Sequence, residues 1–117
     1  MKVWKTPLVL AAGLVAAGTL WTGTAQAATE ANCSVSGSSC TTATVPANSA
    51  HQLNYRVEGG FFCAQADFQI IDAQNKAVVY HRHVGGGTVR GTLGGLYGSY
   101  YLRIYWSCAG GNGSIWN

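Results

Sequence analysis

Beyond residue 44, apolar and polar residues alternate with a period of two, and this period sets the expected elements. Leu53, Tyr55 and Val57 alternate with Asn54, Arg56 and Glu58, the pattern of a strand with one face buried. Ala66, Phe68 and Ile70 repeat it against Asp67 and Gln69. Asp72-Ala73-Gln74-Asn75-Lys76 reads as a hairpin loop leading into a strand over residues 77–84, which Gly85, Gly86 and Gly87 end. Val89, Gly91 and Leu93 then alternate with Thr88, Arg90 and Thr92, and Gly94-Gly95 makes a turn. In the longest strand Tyr100, Leu102, Ile104, Trp106 and Cys108 fall on the inward face, and Ser99, Tyr101, Arg103, Tyr105 and Ser107 on the outward one. A Gly-Gly-Asn-Gly turn over residues 110–113 precedes a last short segment. No 3.6-residue spacing occurs outside the N-terminal stretch. Six to seven short strands with Gly and Asn turns predict an all-β protein, a small antiparallel β-sandwich, with a small barrel as the alternative.

One strand carries a conflict of phase. If Val78, Tyr80 and Val84 point inward, Arg82 goes with them; if Ala77 and Val79 do, His81 and His83 go with them. A bulge near Arg82, or a strand end that leaves the core, resolves it.

Ahead of the alternating region stand two segments of different character. Lys2 and Lys5 precede an apolar run over residues 8–20, and Ala25-Gln26-Ala27 supplies a small-x-small cleavage pattern, so residues 1–27 are expected to be a cleaved signal peptide. Thr19, Thr22, Gly23 and Thr24 interrupt the run, against a membrane anchor. Residues 28–43, rich in Ala, Thr, Ser and Asn, are expected as a disulfide-looped N-terminal arm, and residues 44–117 as the β-sandwich domain.

Of the 117 residues only 9% are charged and the formal net charge is +3. Removal of 27 residues leaves 90, with five bases (Arg56, Lys76, Arg82, Arg90, Arg103) against four acids (Glu30, Glu58, Asp67, Asp72). The resulting +1 gives no long-range steering toward phosphate polymers or anionic lipid, so neither nucleic acid nor membrane is expected as a partner. All four cysteines lie in the mature part, and an even number in a short exported chain reads as a disulfide framework. Cys33–Cys40 and Cys63–Cys108 are the favoured pairs of the three possible pairings. In the chain-entropy picture they contribute about 2.5 and about 4 kcal/mol. The inward phase of Cys108 would bury its bridge among aromatic residues. No Cys-x-x-Cys spacing points to zinc.

Four features offer chemistry. His81 and His83 leave one strand face two residues apart, the geometry by which a strand presents two imidazoles to a metal, with His51, Asp67 or Glu58 as a third ligand. Tyr101, Arg103 and Tyr105 form an outward stripe of rigid hydroxylated rings around a planar multi-donor cation, as recognition surfaces favour, and Tyr97 is expected to extend it. The same stripe also suits plain cross-strand packing. Gly59-Gly60-Phe61-Phe62 beside Cys63 reads as an edge loop with one Phe capping the core. Glu58 and Asp67 are the carboxylates that glycoside cleavage would need.

Tyr80-His81-Arg82 resembles the Tyr-His-Glu strand of small secreted guanyl-specific ribonucleases, with Arg82 where that family has its catalytic Glu. In size and staple count the chain is similar to small bacterial inhibitors of α-amylase, but it lacks their Trp-Arg-Tyr triplet; Tyr101-Leu102-Arg103 is the nearest run. In general character, without a specific motif, it resembles small exported two-disulfide β-proteins of actinobacteria. The expected function is a secreted, extracellular, non-catalytic binding protein that takes an uncharged polysaccharide, peptide or enzyme on its aromatic sheet face and needs no cofactor. The alternatives are a small hydrolase or metal-binding protein centred on His81 and His83, and a structural cell-envelope component.

Overall fold

The computed structural model describes residues 29–61, 63 and 65–117. The expected signal segment and Phe62 lie outside the described residues. There are nine strands among the described residues and no helix: β1 (Glu30–Ser34), β2 (Cys40–Thr41), β3 (Val45–Pro46), β4 (Leu53–Glu58), β5 (Ala66–Asp72), β6 (Val78–Val84), β7 (Thr88–Leu93), β8 (Ser99–Tyr105) and β9 (Asn112–Trp116). All pairings are antiparallel. One sheet has the order β1-β9-β4-β7; the other has β2-β8-β5-β6, with β3 following β2 along the same side of β8.

The all-β class, the two antiparallel sheets and both disulfides agree with the sequence reading; the strand count does not. The excess comes partly from the segment read as an arm. Glu30–Ser34 pairs along its length with β9 in the first sheet, and Cys40–Thr41 pairs with β8 in the second. The Cys33–Cys40 bridge therefore ties the two sheets together. Between β2 and β3 the ladder is kept by a side chain: the Leu102 amide donates to the Thr42 hydroxyl at 3.0 Å, and that hydroxyl donates to the Ala43 carbonyl at 2.8 Å.

The sheets share one sandwich-like core, because the alternation of β4, β5 and β8 turns Leu53, Val57, Phe68, Ile70, Leu102 and Ile104 to the same interior, all fully buried. Each such side chain contributes about 1.5–3 kcal/mol by leaving water. Two glycines let the layers close. A Cβ on Gly91 would stand 2.5 Å from the Tyr55 hydroxyl, and one on Gly113 would stand 2.7 Å from Leu102 Cδ2. Gly113 is thus not part of a turn, as its Gly-rich context suggests, but an interior position of β9.

The phase conflict of β6 is settled by a register shift opposite Ile70 and Ile71, where Tyr80 pairs with Ile70 and Val78 with Ile71, leaving Val79 over. The irregularity lies at Val79, before Arg82. Past it Tyr80, Arg82 and Val84 take the inward phase and the histidines the outward one. Val84 is fully buried, whereas Arg82 leaves the core at the sheet edge, beside the Tyr80 and Tyr55 hydroxyls. The Tyr55 hydroxyl donates to Tyr80 at 3.3 Å. Burial pushes the Tyr55 phenol above its ordinary range, and the hydrogen bond from Tyr55 pulls Tyr80 below its own.

The inward run of β8 stops earlier than its pattern implies. The strand ends at Tyr105, Trp106 adopts φ 51° and turns outward at 76% exposure, and Cys108 is only half-buried. The Cys63–Cys108 bridge is accordingly not sunk among core aromatics; it ties the β4–β5 and β8–β9 connections near the surface, with Cys63 exposed. Phe61 is 82% exposed and caps no core. No helix among the described residues is long and apolar enough to cross a membrane.

Candidate functional site

The register of the second sheet assembles its outer face. β5 runs down the middle, so Asp67 lies between Tyr105 of β8 and His83 of β6, Gln69 between Arg103 and His81, and Ile71 between Tyr101 and Val78. Tyr101, Arg103 and Tyr105 leave this face together because successive outward positions of a strand are two residues apart. Their large side chains reach over β5: Ile71, though on the outer face, is only 6% exposed.

Around Tyr105 the side chains of this face form a row. The Arg103 guanidinium carbon sits 5.3 Å from the Tyr105 ring centre. His81 lies nearly parallel to Tyr105, with centroids 6.3 Å apart and planes 14° apart, and Trp106 meets Tyr105 edge-on at 5.1 Å. Toward the other end Lys76 Nζ stands 5.5 Å from the Tyr101 ring centre. Trp106 belongs to this row although its place in the alternation assigns it to the core. A positive φ at a non-glycine residue leaves no signal in the hydrophobic pattern.

Beneath the row Asp67 is 8% exposed and serves both histidines: its Oδ1 is 2.5 Å from His83 Nδ1 and its Oδ2 is 3.7 Å from His81 Nε2. A buried carboxylate needs such partners, and the shorter contact orients the otherwise exposed His83 imidazole. His83 is hydrogen-bonded to Asp67, and His81 stands at ion-pair distance from it. Among the described residues no group of three or more His, Cys, Asp or Glu is arranged to hold a metal ion.

Other candidates are dispersed. Glu58 lies on the outer face of the first sheet, 3.5 Å from Arg56 Nη2 and 3.2 Å from Asn112 Nδ2, so it does not face Asp67. Tyr97, expected beside Tyr101, stacks instead on His51, with ring centroids 4.2 Å apart. It lies in the β7–β8 connection, where no strand period governs its direction. Compared with known protein families, curated proteins and solved structures, the chain matches none.

Proposed function

We propose that the chain is a secreted, non-catalytic binding protein that recognises an uncharged extracellular partner (polysaccharide, peptide or enzyme) on the outer face of the β2-β8-β5-β6 sheet. The observation that carries this reading is the contact of Tyr105 with Arg103, His81 and Trp106, with Tyr101 farther along the same strand face, on one partly exposed, hydroxyl-bearing aromatic surface. Rigid rings with polar tips give contact area at low entropic cost, and Arg103 adds planar donors. The cleavage pattern at residues 25–27 and the two disulfides support export. Replacement of both Tyr101 and Tyr105 by Ser is expected to lower retention on the captured polysaccharide or protein by about tenfold or more. The reading fails if retention is unchanged while stability drops, since the stripe would then be sheet packing alone.

A second reading, a hydrolase or metal-binding protein centred on His81 and His83, is favoured by one observation: Asp67 hydrogen-bonds His83 and lies 3.7 Å from His81. Titration with zinc and copper, followed through the imidazole NMR signals, tests its metal form. No movement of the His81 or His83 signals at millimolar metal removes it.

A further inference from the structure

A feature independent of the aromatic sheet face lies where the β3–β4 and β7–β8 connections run side by side. The Leu96 amide donates to the His51 carbonyl at 2.9 Å, and the Ala47 amide to the Gly98 carbonyl at 3.0 Å. Asn48 Oδ1 accepts from the Ala50 and Gln52 amides, each at 2.9 Å, and the His51 amide donates to the Asn48 carbonyl at 2.9 Å. These bonds hold His51 at φ 61°, a left-handed conformation uncommon for a residue with a Cβ. From there its imidazole lies against one face of Tyr97, with planes 33° apart, while Tyr97 remains 79% exposed. Beside the pair opens a cleft of about 350 Å³, lined among others by Pro46, Ser49, Leu96 and Ser99; no Lys, Arg, Asp or Glu lines it.

We infer that this cleft is a binding site for a single pyranose ring, stacked on the free face of Tyr97 and hydrogen-bonded by the Ser49 and Ser99 hydroxyls. A sugar ring presents an apolar C–H face and a rim of hydroxyls, and so calls for an aromatic plane flanked by neutral polar groups. The lining matches that demand, with His51 as its one ionisable side chain besides the Tyr97 phenol and no Lys, Arg, Asp or Glu. The volume lies in the range of small-ligand sites, at its lower end. His51 already packs against the Tyr97 ring, which lessens the side-chain freedom lost on binding. A left-handed residue held by surrounding hydrogen bonds is the kind of backbone outlier that clusters at ligand sites.

Amide NMR titration of the intact protein with methyl glucoside, methyl mannoside and methyl N-acetylglucosaminide tests the assignment. At least one sugar is expected to shift the amides of residues 46–52 and 96–99, with half-saturation in the millimolar range. Tyr97→Ala weakens this binding about tenfold or more, and His51→Ala weakens it by releasing the ring. The Tyr101→Ser/Tyr105→Ser protein keeps it, so failure of the sheet-face reading and failure of this one are separate results. The remainder of the Tyr97→Ala spectrum should overlay on the parent, because that side chain lies outside the core. Absence of shifts with all three sugars at tens of millimolar, shifts indifferent to Tyr97→Ala, or response to a proline-rich peptide and to no sugar overturns the inference.

Discussion

The two sheets turn different outer faces to solvent. On the first, short polar groups satisfy one another: the Thr92 hydroxyl donates to Asn54 Oδ1 at 2.7 Å, Arg56 lies 3.5 Å from Asn112 Oδ1, and Asn112 donates to Glu58. On the second, the rings of Tyr101, Tyr105, Trp106 and His81 lie beside the Arg103 guanidinium, and a nearly buried carboxylate lies under them. Both faces obey the same period-two rule and back the same core, yet they carry different side chains. The first is mostly mutually bonded polar groups, with Trp116 beside Asn54 at one end; the second carries several aromatic rings side by side.

Substitutions on matching positions sharpen the contrast. Asp67→Ala removes the hydrogen bond between His83 and a nearly buried carboxylate and is expected to cost about 1–3 kcal/mol, whereas Glu58→Ala, on the outer face of the first sheet, costs within about 0.5 kcal/mol. Chemical denaturation of the two variants measures both, and equal costs would erase the distinction between the faces. Removal of Tyr101 and Tyr105 together takes two cross-strand contacts from above β5 and is expected to cost about 1 kcal/mol, read as a fall of a few degrees in Tm. A much larger fall would mark the stripe as structural. Trp106→Ala touches only the rim of the row and should leave stability within about 0.5 kcal/mol of the parent while reducing partner retention.

The smallest effect concerns the inner rim of β6. Tyr55 has a raised pKa, so the stability tied to its protonated form is complete below about pH 10, the unfolded value, and is lost as pH rises through the folded one. Tyr80 has a lowered pKa, so its contribution is present above about pH 10 and lost as pH falls through its folded value. Above about pH 10 the two oppose each other. Tyr80→Phe removes the compensating member, and thermal melts between about pH 9 and 11 should show a steeper alkaline loss of stability than the parent. Identical slopes would contradict this coupling.

β4, β5 and β8 could be read directly from the sequence because their inward positions carry large apolar residues and their outward positions polar ones. β1 and β2 could not: in Glu-Ala-Asn-Cys-Ser and Cys-Thr the disulfide and the pairing partners replace an apolar face. The stripe of Tyr101, Arg103 and Tyr105 followed from phase alone. The place of Asp67 between the histidines and Tyr105 did not, because it depends on which strands pair and in what register. Trp106 and Tyr97 escaped the pattern for one reason, since each stands outside a strand, where local dihedrals and loop contacts decide direction.

A single retention assay tests the central claim most directly, comparing the parent protein, Tyr101→Ser/Tyr105→Ser and Arg56→Ser/Glu58→Ser on the same immobilised partner recovered from culture medium or insoluble polysaccharide. The expected result is loss of retention in the first variant, with the second indistinguishable from the parent. Equal retention by all three, or loss confined to the variant of the first sheet, would contradict the assignment of recognition to the aromatic face.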